Sequence, residues 1–285
     1  MSDLTDYEAD VASVDVVDPD ASPFTYQGGR AERAYLLESA ADFLADELIA
    51  DVLFKVKGGK EANVYCCRAH PNLRRNTGHD LIALKLYRPG EFRAMKNDAA
   101  YRLGREEVDA GGKAQRKSRA LRAMSKRTKV GRAMRSTSWT RHEYGALEDL
   151  MHAGCDVPTA VASNANSILM QFIGDEYGAA PTLHDAQLTR AEAEAALHLS
   201  LQNLRRMLDA DRVHGDLSAY NLMWWRGKVV VIDLPQCVSA DANPLAYSFL
   251  LRDVEHVCSH FRKLGLETPE PGAYTDKLWK ERDLM

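Results

Sequence analysis

An aspartate and an asparagine five residues apart, followed by a second aspartate at the end of an apolar run, constrain this chain most. Asp216 and Asn221 lie in residues 214–221 (HGDLSAYN), and Asp233 follows residues 229–232 (VVVI). In phosphoryl-transfer enzymes an Asp at this spacing accepts the proton of the attacking hydroxyl, and the Asn holds a metal. A carboxylate at the end of a buried strand can hold Mg²⁺ on a triphosphate. Each residue alone would equally fit a turn, because Asp and Asn bond to their own backbone.

A glycine turn lies between two predicted strands, residues 52–56 and 64–67. It contains Gly58, Gly59, Lys60 and Glu61. A strand–turn–strand order is typical of a kinase phosphate loop, whereas a Walker A loop leads into a helix. Glycines let backbone N–H groups approach phosphate oxygens without interference from Cβ. A plain hairpin would show the same pattern, so this turn supports a nucleotide site only together with other features.

Lys85 stands inside a third predicted strand, residues 81–87 (LIALKLY). Lysines are rarely buried without a partner. We predict that Lys85 reaches the phosphates and pairs with Glu143, which lies on a helix predicted over residues 138–153. The alternatives are an edge-strand lysine that faces water and an exposed glutamate.

A further strand, residues 167–172 (SILMQF), leads into Ile173 and Gly174. In a two-lobed kinase this segment is the hinge, whose backbone would bond the adenine edge. Met170 would border the adenine pocket, and Val64, Phe172 and Ile173 are further candidates for binding the nucleotide. A core methionine is the alternative for Met170.

Three helices complete the pattern of the chain. Residues 31–50 carry apolar side chains at helical spacing and predict a helix packed on the first lobe. Thr189 and Glu192 form a capping-box sequence that opens a helix beneath the catalytic loop. A strongly amphipathic helix ends at Gly265.

The cysteines indicate neither a disulfide framework nor a zinc site, because none forms a C-x-x-C pair and their number is odd. They are Cys66, Cys67, Cys155, Cys237 and Cys258. Free thiols suit a reducing cytoplasm. The acidic start is unlike a signal peptide, and no run of about 18 apolar residues predicts a membrane span.

The net charge of −4 is small, but the charges are segregated. Residues 1–30 are acidic, poor in large apolar residues and predicted to be a disordered tail, with an acidic docking segment as the alternative. Residues 102–135 are strongly basic. A flexible insertion is the default interpretation, and contact with RNA or another polyanion is the alternative.

Taken together, these residues resemble the RIO kinases, atypical serine/threonine protein kinases with a reduced two-lobed fold. The resemblance covers roughly residues 51–265 and rests on seven motifs. They are GKEANVY at 59–65, ALKLY at 83–87, FIG at 172–174, AP-x-L at 180–183, HGDLS-x-YN at 214–221, ID-x-PQ at 232–236 and FL-x-RDV at 249–254. The extent is most similar to the branch without an N-terminal winged helix, since residues 1–50 are too short and too acidic for one.

The resemblance implies an α+β fold with a β-rich N-lobe (31–173), a helical C-lobe (174–265) and a C-terminal tail (266–285). It also implies transfer of the γ-phosphate of ATP to serine or threonine, including autophosphorylation, with Mg²⁺ or alternatively Mn²⁺. One alternative is an ATPase switch that acts on a ribosome precursor or another RNA-rich particle. Another is a pseudokinase that serves as a nucleotide-gated binding module, and the intact residues Lys85, Asp216, Asn221 and Asp233 argue against it. The protein substrate is unknown.

The resemblance assigns roles to five residues already singled out. Lys85 would bind the α- and β-phosphates, and Glu143 would orient it. Asp216 would be the catalytic acid/base residue, while Asn221 and Asp233 would hold the metal. Asp233 would also be the site of a phospho-aspartate intermediate.

Two departures from the family pattern bear on function. Gly58 stands where the family usually has Ser or Thr, so one side-chain contact to phosphate is missing. No A-P-E sequence follows Asp233, which leaves protein substrate recognition open. The basic insertion would be the family's flexible loop, often a site of autophosphorylation. Its candidate acceptors are Ser118, Ser125, Thr128, Ser136, Thr137 and Ser138.

Overall fold

A five-stranded antiparallel sheet forms the N-terminal part of the computed structural model, which describes residues 23–59, 62–88, 101 and 129–282, with backbone only for 129–138. The strand order is β1-β2-β3-β5-β4. The strands are β1 (Ile49–Gly58), β2 (Ala62–Ala69), β3 (Leu81–Tyr87), β4 (Ala160–Ser163) and β5 (Ser167–Gln171). In the described part of the chain, the helices α1 (Arg30–Ala45), α2 (Pro71–Thr77) and α3 (Lys129–His152) accompany them.

The two faces of β3 contact different parts of the protein, because successive side chains of a strand point to opposite sides of the sheet. Ile82, Leu84 and Leu86 pack with Leu36 and Phe43 of α1 in one apolar core. The intervening residues of β3 therefore point to the opposite face, toward α3 and the C-lobe. As the third of five strands, β3 places Lys85 in the middle of the sheet and not at an edge.

Helices and short hairpins build the C-terminal part. They are β6 (Gly174–Asp175), β7 (Gly178–Ala179), α4 (Arg190–Asp209), β8 (Arg212–Val213), β9 (Leu222–Trp225), β10 (Lys228–Val231), β11 (Val238–Ser239), α5 (Ala246–Lys263) and α6 (Pro271–Arg282). The predicted capping box opens α4, with the side chain of Thr189 accepting from the Glu192 N–H and that of Glu192 from the Thr189 N–H. Such a cap stabilises a helix by about 1 kcal/mol.

Buried Asn203 on α4 fixes strand β10 and Asp156 to this helix. Its side chain donates to the Val229 carbonyl at 2.9 Å and accepts from the Asp156 N–H at 3.1 Å. A buried amide satisfied at both ends pins β10 to the helix. Helix α4 thereby positions the end of β10, and Asp233 lies two residues beyond that end.

Some boundaries differ from the sequence predictions. Residues 266–285, predicted to be a tail, contain α6, whose Leu278 is buried in the C-lobe core. Within the predicted tail 1–30, Phe24 is buried against the N-lobe, while residues 1–22 lie outside the described chain. Helix α3 begins at Lys129, inside the predicted insertion, of which residues 102–128 also lie outside.

Within the described ranges, no helix combines the length and apolar character needed to cross a membrane. The five cysteines are free and buried. Burial raises the pKa of Cys155 to about 11 and that of Cys66 to about 12.

Candidate active site

Lys85 makes two ion pairs, one within the N-lobe and one that reaches the C-lobe. Its Nζ lies 2.6 Å from Oε1 of Glu143 on α3 and 2.6 Å from Oδ1 of Asp233. The side chains of Lys85 and Glu143 are only 10% and 6% exposed. Burial alone would lower the pKa of Lys85, but the two carboxylates raise it, so the lysine is a cation. Burial raises the pKa of Glu143 despite the attraction of Lys85.

Asp233 directly follows the β10–Ile232 run in an unusual backbone conformation. Its φ is +67°, a left-handed value that costs energy for a residue with a Cβ. This turn leaves the side chain 51% exposed while Oδ1 still reaches Lys85. The positive charge of Lys85 lowers the pKa of Asp233, so the carboxylate is ionised. An ionised, accessible carboxylate is a suitable ligand for a hard cation.

The loop that carries Asp216 is fixed through its backbone. Asp253 on α5, fully buried, accepts hydrogen bonds from the N–H groups of Gly215 and Leu217, each at 2.8 Å. Asn221 donates from Nδ2 to the Asp216 carbonyl at 2.9 Å. The Asp216 side chain itself is exposed. Partial desolvation raises the pKa of Asp216.

His214 links the Asp216 loop to the strand before Asp233. It is fully buried, and burial lowers its pKa, so the ring is neutral. Its Nδ1 accepts from the Asp216 N–H at 3.3 Å, which leaves Nε2 to donate to the Ile232 carbonyl at 3.1 Å. The Ile232 N–H in turn donates to the Asn221 carbonyl at 3.0 Å. Asp216, Asn221 and Asp233 are thereby brought together by backbone contacts.

Two apolar clusters meet at the hinge. Cys66, Ala83 and Phe172 form the first, with Val64, Met170 and Phe54 packed against it. Ile173, Ala180, Met223 and Val230 form the second, joined by Ile232 and Trp225. Because Phe172 and Ile173 are consecutive, the hinge contributes one side chain to each. This arrangement suits a flat aromatic ligand held between apolar surfaces.

In the predicted phosphate loop, Gly59 lies close against the backbone of Ala62. The Gly59 N–H donates to the Ala62 carbonyl at 2.9 Å, and a Cβ added at Gly59 would lie 2.9 Å from that same oxygen. A glycine is therefore required there. Gly58 ends β1 and is exposed, whereas Lys60 and Glu61 lie outside the described residues.

The structure thus gathers Lys85, Glu143 and Asp233 by direct contact, and Asp216 and Asn221 through the backbone. Their chemical roles stay predictions. Sequence reasoning missed Asp253, His214, Ala83 and Met223. The FL-x-RDV motif contains Asp253 and was the available signal, and Met223 stands two residues after Asn221.

The model of the RIO domain family matches residues 79–273, more than half of the chain. The chain is 38% identical over 130 residues to the RIO-type serine/threonine-protein kinase Rio1 of Thermoplasma acidophilum. The aligned residues make up 46% of this chain and 67% of that protein. It is 31% identical over 222 residues to Rio1 of Haloferax volcanii, and this alignment covers 77% of this chain and 66% of that protein. Human serine/threonine-protein kinase RIO3 is 34% identical over 130 residues, or 45% and 25% of the two chains.

Among solved structures, the chain is similar to the Rio2 kinase–ADP/Mg²⁺–phosphoaspartate complex from Chaetomium thermophilum. The TM-score is 0.59 at 18% identity, and the match covers 87% of this chain and 66% of that one. The chain therefore spans about two thirds of the archaeal relatives and of this structure, and a quarter of the human protein. The predicted α+β, two-lobed kinase-like fold is confirmed, and the chain belongs to the RIO domain family of serine/threonine-protein kinases.

Proposed function

We propose that this protein is an ATP- and Mg²⁺-dependent serine/threonine kinase. The observation that carries the proposal is the contact of Lys85 with both Glu143 and Asp233. A buried lysine held between two carboxylates from different lobes has no evident purpose as a stabilising feature, since buried ion pairs are weak sources of stability. As a preformed cationic site beside an exposed carboxylate, it suits a Mg-bound polyphosphate.

The residues present fit a magnesium ion. Among the described residues, no three His, Cys, Asp or Glu side chains cluster as a complete metal site. Mg²⁺ in phosphoryl-transfer enzymes needs only one or two protein oxygen ligands, because water and substrate phosphates supply the rest. Asp233 offers its accessible carboxylate, and Asn221 offers its amide oxygen while its Nδ2 is engaged by the Asp216 carbonyl. Mn²⁺ has similar ligand preferences and is proposed as a substitute.

In this proposal the protein contributes position and charge. Lys85 neutralises phosphate oxygens, and Glu143 keeps its ammonium in place. The exposed carboxylate of Asp216 takes the proton of the acceptor hydroxyl while the hydroxyl oxygen bonds to the γ-phosphorus and the bond to the β-phosphate bridge breaks. Bound magnesium would supply neutralisation of the charge on the leaving diphosphate.

The accessible carboxylate of Asp233 favours a second candidate, an ATPase cycle. An oxygen of Asp233 would attack the γ-phosphorus, release ADP and form an acyl phosphate, which water would then hydrolyse to inorganic phosphate. The similar Rio2 structure is a phosphoaspartate complex, and it supports this candidate by analogy only. The side chain of Asp233 is 51% exposed, which gives the acid the access that the step needs.

The fate of labelled γ-phosphate separates the two candidates. The full chain is incubated with γ-labelled ATP and Mg²⁺, with and without a generic basic protein. Acid-stable label on serine or threonine supports the kinase. Hydroxylamine-labile label followed by free phosphate supports the ATPase, and absence of both refutes the proposed function.

The partners remain part of the proposal. The substrate is a protein hydroxyl of unknown sequence, and an RNA or ribosomal particle is a candidate partner for the basic residues 102–135. A cytoplasmic location is proposed because five free buried thiols suit a reducing compartment.

A further inference from the structure

Tyr101 lies in the chain between β3 and α3, yet its side chain is buried beside the catalytic loop. Only 4% of the residue is exposed. Its ring stacks on Phe249 of α5, with 4.6 Å between centroids and 17° between planes. A Cβ added at Gly215 would lie 3.0 Å from the tyrosine ring. The ring therefore fills the space between α5 and the residue that precedes Asp216.

The hydroxyl of Tyr101 forms hydrogen bonds with both Gly215 and Arg252. It donates to the Gly215 carbonyl at 3.1 Å and accepts from Arg252 at 2.6 Å. Arg252 also donates directly to the Gly215 carbonyl and lies over the Phe249 ring, 5.2 Å from its centroid. One carbonyl oxygen thus receives two donors, one of them charged, and charge-assisted bonds are the stronger kind.

Both peptide groups of Gly215 are fixed as a result. Its N–H donates to Asp253 at 2.8 Å, and its carbonyl is held by Tyr101 and Arg252. Its φ of +81° is readily adopted only by glycine, so the backbone relies on these contacts to stay in this conformation. The held carbonyl belongs to the peptide unit that leads directly into Asp216, and rotation of that unit would redirect the carboxylate.

We infer that Tyr101 and Arg252 are positioning residues that hold the Gly215 carbonyl and thereby aim Asp216 at the acceptor hydroxyl. The inference rests on the proposed kinase function for its kinetic consequence, but the restraint on the loop stands independently.

The decisive variant is Tyr101→Phe, which keeps the stacked ring and removes only the hydroxyl. The matched control is Tyr177→Phe, the same change at a tyrosine that is 90% exposed. We expect Tyr101→Phe to lower kcat about tenfold, since small misplacements of a catalytic group can cost about 10²-fold. The KM for ATP and the affinity for the Mg-free nucleotide should stay the same, and the control should match wild type.

A double-mutant cycle tests whether the two residues act on the same carbonyl. Arg252→Lys keeps the charge but replaces the planar guanidinium, whose Nη2 donates to both the Tyr101 hydroxyl and the Gly215 carbonyl, with a compact ammonium on a flexible stem. If both residues restrain one peptide, the double variant should lose clearly less than the product of the two single effects. Independent, multiplicative losses would overturn the shared role.

Amide hydrogen exchange gives a readout that needs no activity. In Tyr101→Phe the N–H groups of Gly215 and Leu217 should exchange faster, while those in the middle of α4 keep their wild-type rates. Unchanged exchange at these two amides, or faster exchange throughout the C-lobe, would overturn the inference. A further outcome is that the wild-type protein transfers no phosphate while Tyr101→Phe still shows faster exchange at these two amides. That result would refute the proposed function and leave the inference about Tyr101 intact.

Discussion

The Nζ atom of Lys85 lies 2.6 Å from Oδ1 of Asp233, a contact between the central N-lobe strand and the loop after β10. The same nitrogen is 2.6 Å from Glu143 on α3. A cation bound at Asp233 would therefore share its carboxylate with the lysine. We interpret the contact as the resting form of a site in which the lysine turns to phosphate oxygens when nucleotide binds.

Replacing Lys85 by Met should affect both function and folding. Turnover and ATP affinity should fall together, turnover by about 10²-fold, because a desolvated charge-assisted contact to phosphate is lost. The protein should also lose about 3–5 kcal/mol of stability, since Glu143 would be left buried without its cation. Urea unfolding and isothermal titration with Mg·ATP measure the two effects.

The double variant Lys85→Met, Glu143→Gln separates these effects. Removing the unpaired carboxylate should restore much of the stability and none of the ATP affinity. If stability stayed low in the double variant, the loss would come from packing and not from the stranded charge. If ATP affinity returned, Lys85 would not be a phosphate ligand.

Asp233→Asn tests the metal assignment. The amide keeps the shape but loses the charge that attracts Mg²⁺ and Lys85, so Mg²⁺-dependent ATP binding should weaken by at least about tenfold. Binding of ATP in EDTA should change much less, and this comparison within one protein is the control. Equal affinity of variant and wild type for Mg·ATP would remove Asp233 from the metal site.

The sequence predicted the contact of Lys85 with Glu143 because both signals are local. A lysine inside an apolar run of seven residues needs a partner, and the apolar spacing of the α3 sequence marked Glu143 as facing inward. Strand β5 before Ile173 and the capping box of α4 were predictable for similar reasons. Each depends on a pattern within about ten residues.

Contacts in which one partner carries no local sequence signal were not predictable. Asp253 is 38 residues from Gly215, and Tyr101 is 114 residues from it, so neither leaves a periodic pattern near the catalytic loop. Helix α2 was missed for another reason: its seven residues are too few for an apolar period. Pro71 at its start and Gly78 at its end, with φ of +73°, were the usable signals.

Asp253→Asn should change how stability depends on pH. Burial raises the pKa of Asp253 from 3.8 to about 7, although the N–H groups of Gly215 and Leu217 and the charge of Arg252 lower it. The unfolded carboxyl ionises near its ordinary pKa, whereas the folded one keeps its proton until about 7. The contribution of Asp253 to the free energy of unfolding of the wild type is therefore fully present below about pH 4. It is lost as the pH rises through about 7.

Asparagine has no proton to lose, so the free energy of unfolding of Asp253→Asn should not fall with rising pH as that of the wild type does. The wild-type fall is on the order of 1 kcal/mol per pH unit. Urea unfolding from pH 4.5 to 8 measures the difference, with Asp42→Asn, an exposed aspartate of α1, as the control for the same chemical change. Parallel curves for wild type and Asp253→Asn would show that Asp253 is ionised throughout this range. The two N–H donors would then outweigh burial.

Asp216→Asn should separate chemistry from binding. The amide is nearly isosteric with the carboxylate, and the Asp216 carbonyl that accepts from Asn221 belongs to the backbone and is retained. No part of the bound nucleotide is expected to contact this side chain, so ATP affinity should stay within about twofold of wild type. Turnover should fall by about 10²–10⁴-fold, the usual contribution of a positioned general base.

Single-turnover transfer of labelled phosphate measures that loss, both to the protein itself and to a generic basic protein, with ATP affinity determined separately by titration. Glu176→Gln, at an exposed acid between β6 and β7, controls for the removal of one carboxylate. A fall in transfer to both acceptors places Asp216 in the chemical step, because a substrate-binding role would affect the external acceptor alone. Autophosphorylation at the wild-type rate would exclude Asp216 as the proton acceptor, and Asp233 would then be the remaining carboxylate to test as the reacting group.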